Sequence, residues 1–197
     1  MPSPFFCSRP PPEGLTMDRE LETERLILRP FRQSDAGAVQ ALCGNWKVAR
    51  MTSRIPHPFS EELAAQWIAS HGPARRRGEE NAFCLEKDGA VIGAVGYVNA
   101  GDGVHEIGYW IGEPWWGQGY ATEAVGRLTR FIFDGLGARK LTSGHFRDNP
   151  ASGRVLEKCG FAYTGEDEQW CEARGGQVTC RRLALARNEA SGPKATP

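Results

Sequence analysis

The sequence lacks net charge: 24 lysines and arginines balance 24 aspartates and glutamates across 197 residues. That removes the global basic field needed to hold nucleic acid or an anionic membrane, and favours a small-molecule or peptide partner. It also lacks any C-x-x-C pair among its six cysteines, Cys7, Cys43, Cys84, Cys159, Cys171 and Cys180. Neither a structural zinc site nor a disulfide framework is therefore expected, and no metal site is assigned. No apolar run approaches the length of a membrane span. The opening MPSPFFCSRPPPEG is too rich in proline, and its apolar part too short, for a signal peptide. A cytoplasmic protein is expected, with neither nucleic acid nor membrane as partner. There is no internal repeat.

What is present is the pattern of one well-buried domain, with an ordinary hydrophobic content of 40%. Residues 1–16 read as a disordered tail because prolines punctuate them and no period appears before Met17, a candidate natural start. The domain is expected over residues 17–188 and a flexible end over 189–197. ERLILRPF alternates as a strand, with Leu26, Leu28 and Pro30 on one face and Arg25, Ile27 and Arg29 on the other. SDAGAVQALCG predicts a helix capped by Ser34 and ended by Gly44. SEELAAQWIASHG predicts another, capped by Ser60, with Glu61 and Glu62 favoured by the helix dipole. NAFCLEKDG and AVIGAVGYVNA flank the turn Lys87-Asp88-Gly89, a hairpin signal, and VHEIGYWIG gives a third strand. A strongly periodic helix carries Ala121, Ala124, Val125, Leu128, Phe131 and Ile132, and is stopped by Gly135 and Gly137. ARKLTSGHF is a strand. NPASGRVLEKCGF is a helix with Asn149 as cap, Pro150 in its first turn and Gly160 at its end. FAYTGEDEQW and TCRRLALAR close the chain as a strand pair, whose edge offers a homodimer contact. A meander combined with one strand-helix-strand crossover defines an α+β sheet arrangement.

The stretch EPWWGQGYATEAVGRL joins a strand to a helix through a glycine turn, the architecture of an anion site. Converging N–H groups and the helix dipole favour phosphate, and Gly117 and Gly119 let the backbone approach it. Three phosphate motifs compete for it, alongside the plain alternative of a tight turn. A P-loop needs lysine and a hydroxyl at the helix start, but Gly119 is followed by Tyr120 and Ala121. A dinucleotide fingerprint needs a third glycine where Thr122 stands, and an acidic residue ending the next strand, which ARKLTSGHF does not supply.

The third candidate fits. WGQGYATEA resembles the pyrophosphate-binding motif Q/R-x-x-G-x-G/A of the GNAT superfamily of acyl-CoA N-acyltransferases, with Gly119 and Ala121 in the small positions. Trp116 stands where the general pattern has glutamine or arginine, a departure shared with the branch resembling the ribosomal-protein N-terminal acetyltransferases. The resemblance runs from about Glu24 to Arg187: ETERLILRPFRQSDA looks like that branch's opening strand and helix, and HEIGYWIGEPWWGQGYATEA like its central strand and cofactor loop. NPASGRVLEKCGF looks like its Asn-x-x-Ser helix. The implied fold is a mixed, mostly antiparallel twisted sheet flanked by helices in a single domain.

The resemblance further implies acetyl-CoA as acyl donor, an amine acceptor and no metal. Pantetheine would pair with the backbone of Trp110, Ile111 and Gly112. N–H groups of Gly117, Gln118, Gly119, Tyr120, Ala121 and Thr122 would hold the pyrophosphate. Ser152 takes the branch's serine position as proton donor to the leaving thiolate, against the plainer role of local capping. Many family members instead place a tyrosine where Leu156 stands. Asn149 is a helix cap and, in the family, also a pantetheine contact. Glu106 is the candidate base, on the reasoning that partial burial raises a carboxyl's pKa; the alternatives are an exposed or salt-bridged strand residue and water-mediated deprotonation. Strand alternation sets Glu106, Gly108 and Trp110 against His105, Ile107, Tyr109 and Ile111.

Trp110, Tyr109, Trp115 and Trp116 are candidates to wall an acceptor pocket, or simply core residues. Arg75-Arg76-Arg77 reads as a solvated loop, with a grip on the CoA 3′-phosphate as the sharper alternative. His57 borders the expected acceptor cleft as a packed, exposed or catalytic residue. The expected function is direct acetyl transfer from acetyl-CoA to a primary amine, either a protein N-terminus or a small amine. The alternatives are cysteine-nucleophile chemistry, nearest at Cys159, and a CoA-binding sensor or interaction module without turnover.

Overall fold

The structure, a computed structural model, describes residues 19–187. The expected tail over 1–16, the start at Met17 and the end over 189–197 lie outside them.

Thirteen elements follow one another along the chain. A short hairpin, β1 (Leu21–Glu22) and β2 (Ile27–Pro30), leads to helices α1 (Ala36–Cys43), α2 (Trp46–Ala49) and α3 (Glu61–Arg76). Strands β3 (Glu80–Lys87), β4 (Ala90–Gly101) and β5 (Val104–Ile111) form a meander. Helix α4 (Tyr120–Arg130), strand β6 (Lys140–Phe146) and helix α5 (Pro150–Lys158) follow, and the hairpin β7 (Ala162–Cys171) with β8 (Gly176–Ala186) closes the chain. The eight strands lie in the order β1-β2-β3-β4-β5-β6-β8-β7. Every pairing is antiparallel except β5 with β6, so the α+β arrangement is as expected.

Local chemistry accounts for the element ends. Asp88 and Gly89 both have positive φ, the type I′ geometry that joins β3 to β4. Ser60 Oγ accepts the Leu63 N–H at 3.2 Å and caps α3. Two expectations are corrected. Ser34 makes no capping bond and lies in a 3-10 turn, Gln33–Asp35, ahead of α1; the Asp35 carboxylate accepts the Arg32 N–H at 2.7 Å instead. Helix α3 runs through Gly72 and Pro73 to Arg76, where buried Arg75 binds Asn81 at 2.9 Å and anchors the extra turn.

The two faces of the sheet differ. Helices α4 and α5 cover one face, where Ala124, Val125, Leu128 and Leu156 join Leu28, Phe83, Val95 and Ile107 in the main core. On the other, Val39, Cys43, Ala64 and Ile68 of α1 and α3 form a smaller cluster with Trp110 against its edge. A buried ionic knot fixes the first helix to the sheet: Arg29 reaches both Asp35 oxygens, at 2.7 and 3.0 Å, and Glu86 at 2.6 Å. This explains why Arg29 is buried while Ile27, on the same strand face by alternation, is exposed.

Candidate active site

The central feature is a parting of strands. Parallel pairing of β5 with β6 is confined to Val104–Glu106 opposite Lys140–Thr142. The last link beyond it is the Ser143 hydroxyl donating to the Ile107 carbonyl at 2.9 Å. From Gly108 onward β5 has a partner on one side only, β4. The Gly112 N–H donates to Ile92 at 2.9 Å, toward β4. In an antiparallel ladder the amides alternate, so those of Tyr109 and Ile111 face the gap and those of Trp110 and Gly112 do not. Of the expected pairing residues Trp110 to Gly112, only Ile111 turns its amide to the gap. The Ile111 carbonyl is moreover occupied by the Trp116 indole N–H at 2.6 Å.

This gap opens into a cavity of about 790 Å³. Trp110, Ile111, Gly117, Gly119, Tyr120, Ala121, Thr122, Asn149, Ser152 and Glu106 all line it, which brings residues from β5, the glycine turn and α5 into one space. Gly112 and Gln118 do not line it. On the sheet floor the register sets Ala82, Gly96 and Gly108 side by side, and small side chains there leave the hollow. A Cβ built on Gly108 would meet nothing within 4 Å.

At the glycine turn, Gly117 and Gly119 adopt left-handed backbone, φ 74 and 84, which side chains disfavour. Gly119 is the last residue before α4, so the first-turn amides of Tyr120, Ala121 and Thr122 have no acceptor one turn back in the helix. Together with the dipole they form a cradle fit for phosphate oxygens.

Across the gap, Asn149 Oδ1 accepts the Ser152 N–H at 3.3 Å, the expected cap. The Ser152 hydroxyl is held by a partner that alternation alone did not reveal: Tyr109 Oη lies 2.8 Å from Ser152 Oγ and 3.0 Å from its carbonyl oxygen. Burial pushes the Tyr109 phenol above its ordinary pKa, so it stays protonated. Helix α5 sits close because position 153 is glycine: a Cβ there would be 2.6 Å from Tyr163 Oη and 2.7 Å from His145 Nε2.

The setting expected for Glu106 is not the one found. Its side chain is 53% exposed and pairs with Arg182 at 3.4 Å, the exposed, salt-bridged alternative. His57 packs edge-on against Trp46, with ring centroids 5.2 Å apart. In the arginine run, Arg75 is buried and Arg77 pairs with Glu79 at 2.7 Å. Thiolate chemistry finds no support, because burial pushes the Cys43 and Cys84 thiols up to about 12 and raises those of Cys159 and Cys180. Among the described residues no group of three or more His, Cys, Asp and Glu is placed to hold a metal ion. No described helix is long and apolar enough to cross a membrane.

The cavity is also walled by the loop between α2 and α3, with Met51, Thr52, Ser53 and Arg54, and by Gln169 and Cys180 of the last hairpin, the region where the acceptor is expected. These walls are tied together. Glu172 N–H donates to the Ser53 carbonyl at 3.0 Å, and Arg174 Nε to the Arg50 carbonyl at 2.8 Å. Asp148 bridges Arg50 and Arg174 at 2.8 and 3.0 Å.

Comparison with known proteins agrees with this geometry. The family described as acetyltransferase (GNAT) domain matches residues 25–162. The uncharacterized N-acetyltransferase YoaA of Bacillus subtilis is 31% identical over 79% of this chain and 89% of its own. The uncharacterized N-acetyltransferase p20 of Bacillus licheniformis is 28% identical over 87% and 98%. Among solved structures, Mycobacterium smegmatis RimJ in complex with CoA-disulfide superposes with a TM-score of 0.79 at 20% identity, covering 89% of this chain and 90% of that one. The ribosomal-protein-S5-alanine acetyltransferase of Vibrio fischeri gives 0.76 at 18%, covering 89% and 100%. An anion cradle, an open strand edge and a hydroxyl at the helix start thus meet in one cavity of a chain whose sequence matches one family over most of its length: it belongs to the GNAT acetyltransferases, enzymes that use acetyl-CoA as acyl donor.

Proposed function

We propose that this chain transfers an acetyl group directly from acetyl-CoA to the primary amine of a protein N-terminus or a small molecule. The observation that carries the reading is that the β5 edge from Gly108 to Ile111, the left-handed turn at Gly117 and Gly119, and Ser152 all face one cavity. That arrangement suits a long donor with a diphosphate at one end and a thioester at the other. The amides facing the gap, on Tyr109 and Ile111, are the donors available to pantetheine, and the first turn of α4 takes the diphosphate.

In the transfer, the amine nitrogen forms a bond to the acetyl carbon as the carbon–sulfur bond breaks. The ammonium proton must leave before attack, and the departing thiolate must gain one. Ser152 supplies the second proton, with Tyr109 fixing its hydroxyl, and is restored by the further proton that the attacking nitrogen sheds as the amide forms. Glu106 is the candidate acceptor of the first. Its exposure and its pairing with Arg182 favour a second route, in which water takes that proton and Glu106 only attracts the cationic acceptor. The tied walls at the acceptor end favour an amine at a chain end or on a small molecule over a side chain in the middle of a folded surface.

The test is release of CoA thiol from acetyl-CoA across a panel of N-terminal peptides and small amines. Turnover with one class names the acceptor. Tight acetyl-CoA binding with no turnover on any acceptor would favour a sensor role, and absence of binding would overturn the reading. Glu106→Gln separates the two proton routes: a large fall in kcat assigns the base, and unchanged kcat assigns water.

A further inference from the structure

The sequence pattern leaves the pyrophosphate loop with backbone donors and no basic side chain, because Trp116 stands where the family pattern has glutamine or arginine. It also places a carboxylate, Glu123, in the first turn of α4. A carboxylate there satisfies the helix dipole but repels a diphosphate bound one turn away. In the structure this residue is fully engaged by the segment before β2. Thr23 Oγ1 donates to its Oε1 at 2.6 Å, and the Arg25 backbone N–H donates to the same oxygen at 2.8 Å. Arg25 Nε and Nη2 hold Oε2 at 2.7 and 2.6 Å. Burial pushes the Glu123 carboxyl up, but these donors outweigh it and keep the group ionised.

The same guanidinium touches the loop residues on either side of Gly119. Its Nη1 donates to the Gln118 carbonyl at 3.0 Å, and it lies over the Tyr120 ring at 4.6 Å. A Cβ on Gly119 would stand 3.4 Å from Nη2. Gln118 does not line the cavity, its side chain donates to the Pro114 carbonyl at 3.2 Å, and its own carbonyl is held by Arg25 on the outer side of the turn.

We propose that Arg25 is the positioning residue of the pyrophosphate loop: it cancels the Glu123 charge and holds the Gln118 carbonyl outward, so that the amides from Gly117 to Thr122 present net positive potential to the donor's diphosphate. This rests on the acetyl-CoA reading above, and it assigns to the start of the chain a function in donor binding that no residue of the loop itself supplies. Arg25 acts through the loop and its charge; it is not a proton-transfer group.

The experiment compares two donors by quenching of the tryptophans that line the cavity: acetyl-CoA, and S-acetylpantetheine, which has the thioester arm but no diphosphate. No acceptor is needed. Arg25→Ala is expected to weaken acetyl-CoA about tenfold while leaving S-acetylpantetheine within about twofold. Arg25→Lys, which keeps the charge but not the fork, is expected between Arg25→Ala and the parent. Adding Glu123→Gln to Arg25→Ala removes the uncompensated carboxylate and is expected to restore most of the affinity. Equal weakening of both donors, unchanged acetyl-CoA binding, or no recovery in the double variant would each overturn the proposal. If Arg25→Ala melts below the assay temperature, Arg25→Lys carries the test, with a loss confined to acetyl-CoA expected and an equal loss for both overturning it. A parent that binds neither donor would sink the acetyl-CoA reading itself, whereas a parent that binds and a variant that binds equally well sinks only the role of Arg25.

Discussion

Tyr109 on β5 and Ser152 on α5 share a hydrogen bond of 2.8 Å across the strand gap, and the same phenol lies 3.0 Å from the Ser152 carbonyl. That carbonyl can only accept, so the two contacts compete for one phenolic proton. With the proton on the carbonyl, Ser152 donates to Tyr109; with it on Ser152 Oγ, the serine proton is free to turn to the cavity. The pair is therefore a switchable holder for one proton beside the place where a thiolate would leave.

On the proposed mechanism the serine hydroxyl is the proton donor, so Ser152→Ala is expected to lower kcat about 10²- to 10⁴-fold with little change in acetyl-CoA binding. Tyr109→Phe removes only the orienting bond, so kcat is expected to fall about three- to tenfold. If both act on one proton, the double variant is no slower than Ser152→Ala alone. Steady-state kinetics on all three decides this; additive losses would separate the two residues.

The cavity floor gives a second test, because two glycines on neighbouring strands meet different surroundings. A Cβ on Gly108 meets nothing, whereas one on Gly93 would lie 2.4 Å from the Trp110 carbonyl oxygen. Gly108→Val is thus expected to keep or raise the melting temperature while blocking donor or acceptor binding. Gly93→Ala is expected to cost about 1 to 3 kcal/mol of stability by forcing the strands apart. Thermal melts beside acetyl-CoA titrations check the contrast.

How much of this was legible in the sequence follows from the range over which each signal acts. Local signals carried most elements: Asp88-Gly89 demanded its turn, Ser60 its cap, and the period from Ala121 to Leu128 its helix, while Phe131 and Ile132 lie in a π-helical turn after it. Ser34 misled because its neighbour Asp35, held by Arg29, took the Arg32 N–H at the turn before α1. The glycine turn was legible because its chemistry is local to Gly117 and Gly119. The direction of the β5 amides was not, since a one-residue shift in alternation depends on which strand supplies the partner. Nor was the Arg25 contact with Glu123, which joins residues 98 apart. Glu106 was placed on the correct face, but its exposure depends on how β5 and β6 part, and no residue near it in sequence reports that.

The ionic knot at Arg29 predicts a strong asymmetry between buried and exposed pairs. Burial pushes the Asp35 carboxyl up, but Arg29 and the Arg32 N–H outweigh it and hold it below its ordinary value. Asp35→Ala leaves a buried guanidinium with Glu86 as its remaining carboxylate and is expected to cost about 3 to 5 kcal/mol. Arg77→Ala breaks an exposed pair with Glu79 and is expected to leave the denaturation midpoint unchanged. Urea unfolding of both variants measures the difference, and a similar loss in each would contradict the buried-knot account.

His71 contributes to the pH dependence of stability. It is 3% exposed on α3, between Phe31 and Trp67, with Nε2 unpartnered. Burial, reinforced by the charge of Arg75, lowers its pKa from 6.5 to about 4. Between those two values the unfolded chain binds a proton at His71 that the folded chain refuses, so stability falls as pH drops through this window and changes no further below it. The loss across the whole window is on the order of 3 kcal/mol. His105 is also lowered by burial and slopes the same way, so the parent alone does not isolate one histidine. His71→Phe keeps the ring packing and removes the titration, and its stability at pH 5 is expected to exceed the parent's relative to their values at pH 7.5. Melting curves of both proteins from pH 7.5 to 4 check this, and parallel curves would show that folding leaves the affinity of His71 for protons unchanged.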